Sequence, residues 1–197
     1  MIGVILNFLD HILCSAPVVR DLTRVRGLLV RVSDGGRISF SERSMALDLL
    51  ELRGRMARIL RGIRSCSTCA VGHPLPNGRH PGGYCCGSAT DNLFTEDQLA
   101  QLYASGTRPR HLRSAARVEA GCAFRGPGGC SLPPAHRPNT CASYLCGDLA
   151  RELGLRGDLD RAEALAARII TLSNRAARAR HERLLDGLLR ADRRGEL

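Results

Sequence analysis

Eight of the nine cysteines fall between Cys66 and Cys146, and their order constrains the fold more than any other feature of the chain. It runs Cys66-x2-Cys69, vicinal Cys85-Cys86, then Cys122-x7-Cys130-x10-Cys141-x4-Cys146. Thiolates two residues apart on a turn converge on one ion, with each sulfur about 2.3 Å from the metal. Four such thiolates close a tetrahedral site or hold an iron–sulfur cluster. A segment built this way draws part of its folding energy from what it binds.

The same cysteines could instead form a disulfide scaffold, which needs an oxidising compartment. The apolar stretch within Met1–Leu9 has no cationic segment before it and meets Asp10 and His11 at once, so no secretory leader is expected. No later run approaches the roughly 20 apolar residues of a membrane span. The expected setting is cytoplasmic, where a thiol cluster binds metal more often than it cross-links. Cys14, alone within Ile12-Leu13-Cys14-Ser15-Ala16, reads as a small core hydrophobe.

With 197 residues and 4% aromatics, no Trp among them, the core must be built from Leu, Ile, Val, Ala and Met. The expected architecture is mainly α, with helices framing an irregular cysteine-rich module. Residues 1–64 form an N-terminal helical segment, 65–150 the module and 151–197 a C-terminal helical segment, all within one compact domain. The net charge of +10 invites a nucleic-acid partner but is spread along the chain. Residues 1–65 carry eleven Arg against six acids, 66–150 seven against five, and 151–197 eleven against eight. All 29 basic residues are Arg, and few aromatics stand among them to stack on bases. Nucleic-acid binding is therefore not favoured.

Periodicity places the elements. Residues 1–14 read as a short apolar helix stopped near Pro17. Leu28 to Phe40 reads as a small β-hairpin, because Leu29-Val30-Arg31-Val32 and Arg37-Ile38-Ser39-Phe40 flank the turn signal Ser33-Asp34-Gly35-Gly36. Ser41 caps a helix whose apolar stripe runs through Met45, Leu49, Leu52, Met56, Ile59 and Ile63. The Pro- and Gly-rich stretch 70–84 is a loop. Thr95 caps a helix ending before Gly106, with Gln98 at the capping-box position. Pro109 to Ala120 is expected to be helical, with Arg110, Arg113 and Arg117 along one side. A helix over Asp148–Leu153 is broken by Gly154 and Gly157, and Asp158 starts the last one. That helix carries Leu165, Ile169, Leu172 and Ala176, then a second apolar set of Leu184, Leu185, Leu188 and Leu189.

Spacing excludes several cysteine frameworks. The ferredoxin runs C-x2-C-x2-C-x3-C-P and C-x4-C-x2-C are absent. No H-x3-5-H pair follows Cys66-x2-Cys69 to complete a finger, since His73 and His80 are seven apart. A thioredoxin-like CxxC would follow a strand, whereas a helix is expected here.

What remains resembles the YkgJ-like family of zinc- or iron-chelating cysteine-cluster proteins, marked by a CxxC followed by a CC pair. The similar motifs are Cys66-x2-Cys69, Gly83-Tyr84-Cys85-Cys86 and the helix Leu93-Phe94-Thr95-Glu96-Asp97-Gln98-Leu99. Further on come Cys122-Ala123-Phe124, Gly129-Cys130-Ser131-Leu132, Arg137-Pro138-Asn139-Thr140-Cys141 and Tyr144-Leu145-Cys146. Two departures stand out: fifteen residues separate Cys69 from Cys85 where the family has two or three, and Ala142 replaces the Arg that usually follows the RP-linked cysteine.

The resemblance implies Cys66, Cys69, Cys85, Cys86, Cys122, Cys130, Cys141 and Cys146 as metal ligands. Neighbouring side chains diverge, so Cys85 and Cys86 suit different irons of a cluster better than one small ion. That favours iron–sulfur, as 4Fe–4S, with zinc as the alternative and one or two sites both open. Arg137 could place donors near anionic sulfur. The function expected is a non-enzymatic metal or cluster carrier serving electron transfer, metal handling or a partner enzyme. The partner is a protein, redox or client, and no membrane is involved. Two alternatives are a zinc-stabilised adaptor for nucleic acid or protein, and an enzyme resembling the flagellin lysine methylase. No base and nucleophile pair stands out for the latter among His11, His111, His136 and His181.

Overall fold

A computed structural model describes residues 15–34, 38–68, 86–87, 90–118 and 121–196. Cys14, the 1–14 helix, the Gly35-Gly36 turn, Cys69, Cys85 and the 70–84 loop with His73 and His80 lie outside the described residues. The protein is mainly α-helical. Its longer helices are α1 (Ala16–Asp34), α2 (Phe40–Ile59), α5 (Glu96–Ala104), α7 (Gly147–Leu155) and α8 (Leu159–Arg193). Short helices α3 (Ser65–Thr68), α4 (Thr90–Leu93) and α6 (Asn139–Ser143) lie between them. A two-stranded antiparallel hairpin, β1 (Arg125–Gly126) with β2 (Gly129–Cys130), sits inside the cysteine-rich segment. Among the described residues no helix is long and apolar enough to cross a membrane.

The hairpin expected over 28–40 is corrected: Leu28 to Asp34 continue α1, and Phe40 opens α2. Valine and leucine at alternating positions also fit a helical stripe when enough of them repeat at 3.6, and Val18, Leu22, Val25 and Leu29 do so and are all buried. Burial of that stripe overrides the β preference of Val30 and Val32.

The cap of α2 is Ser39 rather than Ser41. Ser39 has an acid three residues on, so its Oγ accepts from the Glu42 amide at 3.1 Å while Glu42 Oε2 accepts from the Ser39 amide at 2.8 Å. Ser41 has Ser44 at that position and cannot close the box. Thr95 caps α5 as expected, accepting from the Gln98 amide. Gln98 does not reach back, however; its Oε1 accepts from the Asn139 amide at 2.7 Å.

The helix expected over Pro109–Ala120 shrinks to a 3-10 turn, Pro109–His111. Among the described residues of that stretch only Leu112 and Ala115 are buried, and the Ala115 amide donates to the Ala123 carbonyl at 2.9 Å. Pairing with the cysteine segment takes the place of helical bonds. Gly126 in that segment approaches closely, since a Cβ there would stand 3.2 Å from the Ala115 Cβ.

Two hydrophobic cores result. The first joins α1, α4 and α5 to Leu112, Cys122, Ala123, Phe124 and Leu132, with Phe94 and Phe124 tilted against each other at 5.4 Å. The second packs Leu49, Leu52, Met56 and Ile59 of α2 against Ala162, Leu165, Ala166, Ile169 and Ala176 of α8, with Leu149 and Leu153 of α7. A buried polar cluster stands beside them. Arg53, 1% exposed, donates to Asn139 Oδ1 at 2.8 Å, Ser105 Oγ at 3.1 Å and the Ala135 carbonyl at 3.3 Å. Burial lowers its pKa to about 10, so it keeps its charge at neutral pH.

The last apolar set behaves differently from the rest of α8. Leu184 is half-buried, but Leu185, Leu188 and Leu189 are more than half exposed. Arg183 anchors the start of this stretch by pairing with Glu42 at 2.7 and 3.1 Å. Burial pushes the Glu42 carboxyl up, but bonds from Arg183 and Ser39 outweigh it and leave the group below its ordinary value.

Candidate metal centre

Cys66, Cys86, Cys122, Cys130, Cys141 and Cys146 all line one cavity of about 120 Å³. They are the described members of the eight-cysteine set; Cys69 and Cys85 lie outside the described residues. The cavity opens where the two cores meet, with Leu93, Phe94, Phe124 and Leu132 on one side and Leu60 and Leu149 on the other.

Each cysteine is placed by hydrogen bonds from elements distant in sequence or by the end of its own helix. Cys66 rides on α3, at whose start the amides of Arg64, just before it, and Ser65 both donate at 2.8 Å to the Glu152 carboxylate of α7. Those two bonds hold the Glu152 carboxyl below its ordinary value. The Cys86 carbonyl accepts from the Cys122 amide at 2.9 Å, tying the vicinal pair to the second cysteine group. Cys130 faces Arg125 across the hairpin, and the turn needs Gly129, whose φ of 114° suits no side chain well. Cys141 sits in α6, which is positioned by Asn139 and thus by Arg53, Gln98 and Gln101. Cys146 stands at the N-cap of α7, and its carbonyl accepts from the Ala150 amide at 2.8 Å.

Among the described residues no three His, Cys, Asp or Glu side chains converge tightly enough to hold a metal ion. The described thiols therefore wall a cavity and do not meet at a point. Burial varies around it: Cys122 is 5% exposed and Cys66 is exposed. Cys130 and Cys146 are free thiols.

Arg137, expected to direct donors toward sulfur, lines the cavity but spends its bonds on backbone. Its Nε donates to the Leu132 carbonyl at 2.8 Å, and one terminal nitrogen lies 3.5 Å from the Cys130 carbonyl. It braces the strand that carries Cys130. Arg125 was not anticipated; it is 1% exposed and lines the same cavity. Its only sequence signal is its place between Cys122 and Cys130. The Glu152 clamp had no signal, because its partners are backbone amides 87 and 88 residues away.

Of the three described histidines considered as catalytic, His111 and His136 are not among the residues lining the cysteine cavity and stack on each other, with ring centroids 4.3 Å apart. His181 pairs with Asp97 at 3.2 Å on α8. No family model matches the chain, and neither the curated proteins nor the solved structures contain a match to it.

Proposed function

We propose that this protein carries a metal cofactor in the cysteine cavity, an iron–sulfur cluster in preference to zinc, and acts as a carrier in the cytoplasm and not as an enzyme. The observation that carries the reading is that six cysteines from distant parts of the chain wall one cavity. Thiols spread around a volume suit a cluster, whose irons present several separate ligand positions, better than a single ion with one tetrahedral centre. The wall holds two guanidiniums, Arg125 and Arg137, and no carboxylate among its described residues. The residues that would hold the group are Cys66, Cys86, Cys122, Cys130, Cys141 and Cys146, with Cys69 and Cys85 completing the set by resemblance to the YkgJ-like family. A bound cluster would supply one-electron chemistry; the chain's own part is to orient the thiolates and keep Cys122 away from water. A protein that accepts electrons or the metal itself is the fitting partner.

The test is analysis of protein purified without oxygen. Iron and acid-labile sulfide are expected, with broad visible absorption that bleaches on reduction. Cys66→Ser, Cys69→Ser, Cys85→Ser and Cys141→Ser should each lower the metal content, and Cys14→Ser should not. Colourless protein holding near-stoichiometric zinc without sulfide would overturn the cluster and support the zinc-stabilised adaptor.

A further inference from the structure

The second concentration of chemistry lies apart from the cysteines, at the 3-10 turn Pro109–His111. The run Arg108-Pro109-Arg110-His111-Leu112-Arg113 contains no acid. Leu112 is fully buried in the first core, and Arg26 of α1 donates to its carbonyl at 3.0 and 2.6 Å. The turn is therefore pinned from both sides.

His111 and His136 stack here at 18° between ring planes. His136 Nδ1 lies 3.0 Å from Thr107 Oγ1. His111 Nδ1 accepts from the Arg108 amide at 3.1 Å, while the Arg110 Nε–H points at His111 Nε2 from 3.3 Å. A neutral imidazole accepts at one nitrogen and donates at the other, so both bonds cannot be made together. With the backbone amide occupying Nδ1, His111 Nε2 carries its proton and faces the Arg110 N–H with no acceptor between them. The turn has one donor too many.

The charge is unbalanced in the same direction. Arg108 donates to the Tyr103 and Thr107 carbonyls at 3.0 and 2.8 Å, and its guanidinium lies 4.3 Å from the Tyr103 ring centroid. Arg113 donates to the Arg110 carbonyl at 3.3 Å. Arg53, behind the stack, donates only to an amide oxygen, a hydroxyl and a carbonyl. None of these four arginines has a carboxylate partner among the described residues, whereas Arg180 and Arg183 of α8 are both paired with acids.

We propose that this turn is a phosphate-binding site, in which Arg110, Arg113 and the His111 Nε2–H surround the oxyanion and Arg53 and Arg108 add fixed positive charge. A phosphate oxygen beside His111 and Arg110, accepting from both N–H groups, supplies the missing acceptor, and guanidinium forks match phosphate geometry. The state of the rings agrees. Burial first, and then the charges of Arg110, Arg108 and Arg113, lower the His111 pKa; burial, His111 and Arg53 lower that of His136. An anion seated among these six groups relieves the field and raises both. The site owes nothing to the cysteine cavity, and the protein tests it with or without metal.

The experiment follows the imidazole C–H resonances of the full chain while inorganic phosphate replaces chloride at constant ionic strength. His111 and His136 should move and titrate at higher pH, while His181 of α8, beside Asp97 of α5, stays in place. Arg110→Gln combined with Arg113→Gln, both at exposed positions, should weaken phosphate binding by about tenfold or more. A short oligothymidylate distinguishes the sources. If it binds and phosphate displaces it, the ligand is a phosphodiester backbone; if only phosphate binds, the ligand is a free phosphate or monoester. Equal shifts in chloride, movement of His181 alongside the other two, unchanged binding by the double variant, or binding of neither probe would overturn the proposal.

Discussion

The two cores reach burial by different routes. The second is helix against helix, Leu49, Met56 and Ile59 of α2 set against Leu165 and Ile169 of α8, with small Ala162, Ala166 and Ala176 letting the backbones approach. Most backbone groups there bond within their own helix, and the apolar stripe follows from the helical period alone. The first core borrows one wall from irregular chain: Cys122, Ala123, Phe124 and Leu132 come from a segment whose regular structure is a hairpin of two-residue strands. Four of the six described cysteines, Cys86, Cys122, Cys130 and Cys141, pack there, against Cys146 alone in the second core. A helical pair is stable by periodicity; a wall of loop needs fastening, and the cysteines stand where a fastener would act.

The largest expected difference follows from removing that fastener. If the proposed metal is that fastener, Cys141→Ser or a chelator should abolish slow amide exchange in α1, α5 and residues 121–132 while α2 and α8 keep most of theirs. Loss of protection in both cores together would show a single cooperative unit and end the distinction. Substitution inside each core comes next. Phe124→Ala removes a fully buried ring from the irregular wall and should cost about 3–5 kcal/mol, whereas Ile169→Val in the helical pair should cost about 0.5–1.5 kcal/mol, both by denaturant titration. A smaller loss at Phe124 than at Ile169 would mean that the irregular wall collapses around its cavities.

The smallest effect is that of pH. His111 and His136 have folded pKa values below the unfolded one, so near and below about pH 6.5 the unfolded chain binds more protons and stability falls with acidification. Glu42 and Glu152 are also lowered; their contribution is present above the unfolded carboxylate range and is lost as pH drops through the folded values. A thermal midpoint that falls between pH 7 and 5.5, less so in His136→Gln, should separate the first window from the second. An unchanged midpoint across that window in the wild type would remove the histidine stack from the account.

Of the long helices, α2 and α8 were legible because their stripes repeat at 3.6 over four turns or more, whereas α1 was not, its second half reading as a hairpin; Thr95 could be named as a cap because side chain and amide are three residues apart. Two errors share one cause. Residues 28–34 and 109–118 carry local signals that distant partners reverse: the buried stripe Val18–Leu29 extends a helix through the first, and Ala123 draws the second away from helix. The gathering of six cysteines could be anticipated from their spacing and the resemblance it carried. Arg53, Glu152 and the His111–His136 stack could not, since each acts across 25 to 88 residues with neither period nor motif to mark it.

The span of the Arg53 contacts bears on the order in which the protein assembles. Arg53 grips Ser105, Ala135 and Asn139 across 52, 82 and 86 residues of chain, so the turn holding Cys141 cannot settle until loops of that length have closed. The local turns of α2 and α8 need no such wait. The thiol wall is thus completed together with the long-range closure that sets α2 on α8, and protection in refolding experiments should reach residues 139–143 no earlier than α2 and α8. Under the proposed function, a metal arriving early would meet scattered cysteines and one arriving late a nearly finished receptacle.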